Sequence, residues 1–216
     1  VLDLPTGAGK TTCVDIALFA LALDAQEEPT KRWCPRRIAV VVDRRIVVDQ
    51  VAERGRKLLH ALVNKEAGPV VCEVARCLRL LSREAAEPLR VFTLRGGIPK
   101  DDGWARTPDQ PVILASTVDQ IGSRLLIQGH GVSNGMKPID AGLLGNDVLF
   151  LLDEVHLSQP FAGTLEALGR LRRRFVKTTF SPRFSSASST ALPKSCCPMI
   201  AIRMVSYPVE NLGKRR

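Results

Sequence analysis

Short apolar runs alternate with longer amphipathic stretches through the first 174 residues. Arg37–Val42 (RIAVVV) is a continuous β-branched run, the pattern of an interior parallel strand covered on both faces. Leu89–Leu94, Val112–Ala115 and Val148–Leu152 read as three more short strands, and Val1–Leu4 as the end of another, cut off by the start of the chain. Between them lie helical stretches. Thr11–Asp24 is apolar nearly all round, which predicts a helix buried against a sheet. Ile46–Val63 places Val47, Val51, Leu58 and Leu62 near one face. Val70–Ala86, Val118–Gln128 and Phe161–Arg174 complete the set. Strands alternating with helices predict βαβ units: an α/β fold, with a mostly parallel sheet and helices on both faces.

The pattern stops near Arg174. Ser181–Thr190 holds five serines and a threonine, and the rest of the tail shows no period, scattered prolines and the adjacent Cys196 and Cys197. No structure is expected over 175–216, and no internal repeat is visible. Charge changes at the same place. Residues 1–169 carry 20 Lys and Arg against 21 Asp and Glu, whereas residues 170–216 carry 11 against Glu210 alone. The formal net charge of +9 therefore belongs to the tail, and says little about nucleic-acid binding by the folded part.

Composition narrows the class. With 216 residues, 45% hydrophobic and 25% charged, the chain suits one well-cored domain or two small ones, and excludes wholesale disorder, collagen and a coiled coil. The longest apolar run, Ile16–Leu23 between Asp15 and Asp24, is far short of the roughly 18–20 residues of a membrane span, so no membrane partner is expected. Six cysteines form no Cys-x-x-Cys pair and the three histidines stand apart from them. Neither zinc nor a disulfide framework is expected, and a reducing cytoplasm fits.

Two motifs carry chemistry. Leu4-Pro5-Thr6-Gly7-Ala8-Gly9-Lys10-Thr11-Thr12 follows a strand and opens a helix, the setting of a phosphate-binding P-loop. Gly7 and Gly9 let backbone N–H groups curl round phosphate oxygens, with Thr6, Ala8 and Thr12 completing the cradle. The helix beginning near Lys10 points its positive end at the same anion. Lys10 would reach the β- and γ-phosphates of ATP, and Thr11 would ligate Mg²⁺. The full pattern has a glycine where this chain has Leu4; the bland alternative is a glycine turn with a solvated lysine. The second motif is the strand Val148–Leu152 running into Asp153-Glu154-Val155-His156. Two carboxylates at the carboxyl end of a strand sit where ligands of open α/β sheets bind. Asp153 would hold Mg²⁺, and Glu154 would orient and deprotonate an attacking water. An acidic turn after a strand is the alternative for the pair taken alone. The expectation is that both motifs converge, across neighbouring strand ends, on one triphosphate and its magnesium.

Taken in order, PTGAGKT (5–11), VVDRRIVVDQ (41–50), STVDQI (116–121) and DEVH (153–156), with the Leu94-Arg95-Gly96-Gly97 string, resemble a superfamily-two DExH helicase motor. DRRIVVDQ, ASTVDQIGSRLL and MKPIDAGLLGNDVLFLLDEVHLSQPF carry a closer resemblance, to the helicase part of the CRISPR-associated helicase-nuclease of type I systems, over residues 1–174. The resemblance implies the first RecA-like lobe of a P-loop NTPase, residues 1–174, truncated at its N-terminus, with ATP and Mg²⁺ as cofactors. It implies an ATP-dependent helicase acting on single-stranded DNA in antiviral defence, recruited by a CRISPR effector complex, with a second RecA-like lobe missing from this chain. By position, Arg44, Arg45, Thr117 and Gln120 would face the DNA backbone, and His156 would couple nucleotide to DNA. A solvated helix start is the other reading of Arg44–Arg45. The family's nuclease needs a His-Asp metal cluster, which His60, His130 and His156 are too isolated to build, so no nuclease is expected.

The tail, 175–216, does not resemble the family. A shifted reading frame or damaged gene would explain it, and so would a real basic tail that binds phosphates. Two other function classes stay open on the residues alone: a stand-alone P-loop ATPase without a DNA role, and a degenerate remnant that binds nucleic acid through its basic end.

Overall fold

The protein is described by a computed structural model over residues 2–3, 11–28, 31–64, 66–82, 87–97, 101–154, 157–175 and 201–205. Along the chain run β1 (Leu2–Asp3), α1 (Thr12–Asp24), β2 (Arg37–Val42), α2 (Arg45–Val63), α3 (Pro69–Arg79) and β3 (Arg90–Leu94). A 3₁₀ turn at Gly103–Ala105 leads to β4 (Val112–Thr117), α4 (Val118–Leu125), α5 (Met136–Leu144), β5 (Val148–Asp153), α6 (Gln159–Phe175) and β6 (Ala201–Val205). The strands form one sheet in the order β1-β6-β5-β2-β4-β3, parallel at every pairing.

The interior strands are apolar on both faces because both faces are covered. β2 and β4 are buried at all six positions. Ile38, Val40, Val42, Ile113, Ala115, Leu149 and Leu151 point to a core closed by α1, α2 and α3. Their neighbours Ala39, Val41, Leu114, Val148, Phe150 and Leu152 point to a second core, with Ile121, Leu125, Leu144, Phe161 and Trp104 from α4, α5, α6 and the 3₁₀ turn. Handedness explains this division. The chain moves one way across the sheet from β1 to β3, then returns through β4, β5 and β6. Right-handed crossovers put the outward connections on one face and the returning ones on the other.

α2 lies close on the sheet because Gly55 faces it. A methyl at Gly55 would stand 3.0 and 3.2 Å from the two Cγ atoms of Val91 on β3. Gly55 is buried with Val48, Val51, Ala52 and Leu62, so the buried face includes positions beyond the four apolar ones that periodicity marks.

Several expectations change in detail. α1 buries Cys13, Val14, Leu18, Leu21 and Ala22, but Ile16 and Leu23 are 64% and 84% exposed, so its apolar surround is not fully covered by the described residues. α3 ends at Arg79, short of the expected Ala86; residues 83–86 lie outside the described set. α4 ends at Leu125, and Ile127 at φ 63° takes a left-handed turn that a helix cannot continue through. β4 and β5 each run further than expected, to Thr117 and Asp153. α5 is a helix that periodicity does not reveal. Its Pro138 falls in the first turn, where the missing N–H is tolerated, and its Asp140 is buried through an ion pair. β6 falls in the tail, where no strand is expected, and its backbone pairs with both β5 and β1.

Leucine at position 55 should drive α2 off Val91 and lower unfolding stability by about 1–3 kcal/mol, the range for overpacking; an unchanged urea midpoint would refute the close approach. A chain stopped at residue 200 lacks β6 and should unfold at lower urea than the full chain; an equal or higher midpoint would show that β6 adds nothing to the sheet.

Candidate functional site at the carboxyl edge of the sheet

Parallel pairing brings every strand's carboxyl end to one edge, and the registers show how level those ends are. Leu2 pairs with Met204, and Met204 with Asp153. Val42 pairs with Thr117, and Leu94 with Ser116. β1, which leads into the glycine string, therefore points its carboxyl end to the edge where Asp153 stands. β6 lies between the two strands, so they are one strand apart rather than adjacent. At about 4.8 Å per strand this separates them by roughly 10 Å.

Asp153 is the last residue of β5 and half-buried; its Oδ1 accepts the Glu154 N–H at 3.0 Å. Glu154, also half-buried, has φ 48°. That left-handed conformation is uncommon for a residue with a side chain, and such residues concentrate at functional sites. It turns the chain sharply at the strand end, and the Glu154 carbonyl accepts the Leu157 N–H at 2.8 Å across that turn. Val155 and His156 lie outside the described residues, as do Thr6, Gly7, Ala8, Gly9 and Lys10. Of the glycine-turn segment, Thr11 and Thr12 are described. Thr11 is the exposed N-cap of α1, already helical at φ −62° and ψ −22°, and its hydroxyl makes no capping hydrogen bond. Hydroxyl and carboxylate oxygens from Thr11 and Asp153 are the hard donors Mg²⁺ takes, and Mg²⁺ uses one or two protein carboxylates with phosphates and water. Among the described residues no three or more His, Cys, Asp or Glu gather as a metal-binding group.

The ends of β2, β3 and β4 are dressed differently. Arg44 is the N-cap of α2 and Arg45 its first residue; both are exposed, and no acidic residue lies in the helix's first turn. Cations at the positive end of a helix are unfavourable by about 0.3–1 kcal/mol each, and Arg44 makes no capping hydrogen bond. The sequence has thus given up local stability there, and an anion bound at the same end would restore it. Across from it, after β3, Gly97 has φ 84°, a conformation that favours glycine. A Cβ on Gly96 would stand 3.4 Å from Arg45 Nη2, so the Arg45 side chain lies against this double-glycine turn. Arg95 joins it: its Nε donates to Asp49 Oδ1 of α2 at 2.8 Å. Arg95, Gly96 and Gly97 are additions to the candidate residues, and their signal was the Leu94–Gly97 string itself.

Thr117 ends β4, caps α4 with its backbone in the extended region and is 8% exposed. One turn on, Gln120 is half-buried, and its side chain is engaged within the protein: its Oε1 accepts Arg124 Nη1 at 2.8 Å. Arg124 is itself buried. Its Nε donates to Asp140 Oδ2 at 3.1 Å, and its Nη2 stands 3.9 Å from Asp102 Oδ1. Burial pushes the Asp140 carboxyl above the usual aspartate range, with Arg124 opposing and Asp102 adding to the rise. A shallow pocket at the other, amino edge of the sheet, between Arg36, Arg37, Pro108, Asp109 and Asp147, contains none of the candidate residues.

Serine in place of Arg44 supplies a capping oxygen and removes a misplaced charge. We expect a gain of about 1 kcal/mol in unfolding stability by urea titration, the usual worth of an N-cap; a loss would mean that Arg44 supports the fold.

Among the described residues, no helix is long and apolar enough to cross a membrane. Searches against protein-family models and against curated proteins give no match for this chain.

Proposed function

We propose that this chain is the first RecA-like lobe of an ATP-dependent DNA helicase or translocase, of the kind found in type I CRISPR-associated helicase-nucleases. The observation that carries the reading is the single carboxyl edge. The strands that lead into the glycine string, Arg44–Arg45, Arg95–Gly97, Thr117–Gln120 and Asp153–Glu154 all point their carboxyl ends to it. Ligands of open α/β sheets bind at that edge.

In this reading Gly7, Gly9 and Lys10 hold the phosphates of ATP, and Thr11 with Asp153 holds Mg²⁺. Mg²⁺ held there would supply positive charge against the phosphoryl oxygens. Glu154 takes the proton of the attacking water, its backbone turn setting the carboxylate past the strand end. Arg44, Arg45 and Arg95 offer guanidinium groups to the phosphates of single-stranded DNA, and Gly96 and Gly97 leave room for that backbone to approach. His156 couples the two halves. Turnover by these 216 residues alone is expected to be slow, because the family draws arginine for the γ-phosphate from a second lobe, and such an arginine is worth about 10³–10⁵ in rate.

Binding of a fluorescent ATP analogue should be lost in Lys10→Ala and kept in Glu154→Gln, while slow turnover should vanish in both. Equal affinity in Lys10→Ala and the parent chain would overturn the nucleotide site. Single-stranded DNA should raise nucleotide affinity or turnover at low salt, and Arg45→Ala should lower the slope of DNA affinity against salt by about one counterion per lost phosphate contact. A nucleotide site indifferent to DNA would leave an ATPase without a DNA role.

A further inference from the structure

We propose that Arg124 is a positioning residue that fixes the Gln120 carboxamide as a one-way donor to a nucleic-acid phosphate, with Asp140 as its anchor. The inference rests on the helicase reading for the ligand, and on the structure for the lock.

Gln120 brings one acceptor oxygen and two donor hydrogens to its surroundings. A guanidinium has donors only, so the carboxamide atom that faces Arg124 Nη1 at 2.8 Å must be the oxygen. The same Nη1 reaches the Gln120 backbone carbonyl at 3.4 Å, which holds the arginine beneath both ends of that residue. The oxygen is thus turned toward the buried arginine, and the NH₂ group is the end of the side chain left to offer. An acceptor would repel a phosphate; a donor at the edge of the sheet, one turn from the start of α4, suits it.

The lock is stiff for a physical reason. Arg124 is 1% exposed and Asp140 0% exposed, so neither charge can turn to solvent without losing the other. The bridge joins α4 to α5, and Asp102 ties in the segment before the 3₁₀ turn. A planar guanidinium shared among three elements has little rotational freedom, and Gln120 inherits that order. Lysine at 124 would keep the charge but could not serve Asp140 and Gln120 together in the same plane.

The test must separate positioning from folding. Removing one partner of a buried pair leaves an uncompensated charge, so Arg124→Ala is a poor probe. Arg124→Met with Asp140→Leu replaces the fully buried pair by apolar groups of similar size, a change that folds tolerate, and leaves Asp102, whose side chain is 31% exposed, to water. Circular dichroism would verify that this variant is folded, and ATP-analogue binding should match the parent. The side-chain amide of Gln120, observed by ¹⁵N–¹H NMR, should be ordered in the parent and averaged in the swap. Affinity for single-stranded oligonucleotide should fall several-fold in Gln120→Ala and in the swap, with no further fall when the two are combined. An ordered Gln120 amide in the folded swap, or losses that add, overturns the proposal. Should the parent bind no oligonucleotide, the DNA reading fails and with it the phosphate as ligand. The amide spectra would then still report whether Arg124 holds Gln120.

Discussion

Parallel pairing is the constraint on which the remainder rests. In an antiparallel sheet successive strand ends alternate between two edges, and motifs spaced along the chain would scatter. Here every ladder is parallel, so each strand delivers its outgoing loop to the same place. That geometry demands crossover connections, and those supply the helices that bury both faces. The apolar character of β2, β4 and β5 is therefore a condition of the site as well as of the core: a polar residue at Val40 or Leu151 would bury an unpaired polar group between sheet and helices.

The strand ends along the edge carry different side chains. Asp153 and Glu154 mark the end of β5, while exposed arginines follow β2 and an arginine with two glycines follows β3. Arg44 and Arg45 oppose the field of their own helix, and Glu154 holds a backbone angle that side chains disfavour. Both are local concessions that a fold selected for stability alone would remove. They fall at the edge where the sequence motifs also lie, which gives the site an argument independent of any likeness in letters.

Much of this was legible in the sequence, and the gaps have physical causes. β2, β4 and β5 announce themselves because two-sided burial leaves an unbroken β-branched or apolar run. α5 stays hidden because Pro138, Asp140 and Gly142 break the apolar period, and the partner that makes a buried Asp140 tolerable is 16 residues away on α4. β6 stays hidden because AIRMV is short, set among serines and prolines, and acquires its meaning from pairing with residues about fifty positions earlier. Gln120 was legible as an edge residue; its fixed orientation was not, since nothing in STVDQIGSR says where the arginine folds back. Local chemistry shows in a sequence, whereas contacts between distant segments do not.

The strand order also has a consequence for the timing of assembly. β1 is made before every other described strand, yet its partner in the sheet is β6, some two hundred positions later. At about 5–20 residues per second, β1 waits on the order of 10–40 s before its neighbour is made. The long-range contact makes closure slow as well as late. A ribosome-bound intermediate would hold a nearly finished core with β1 still unplaced, and that end of the sheet would be the last to close.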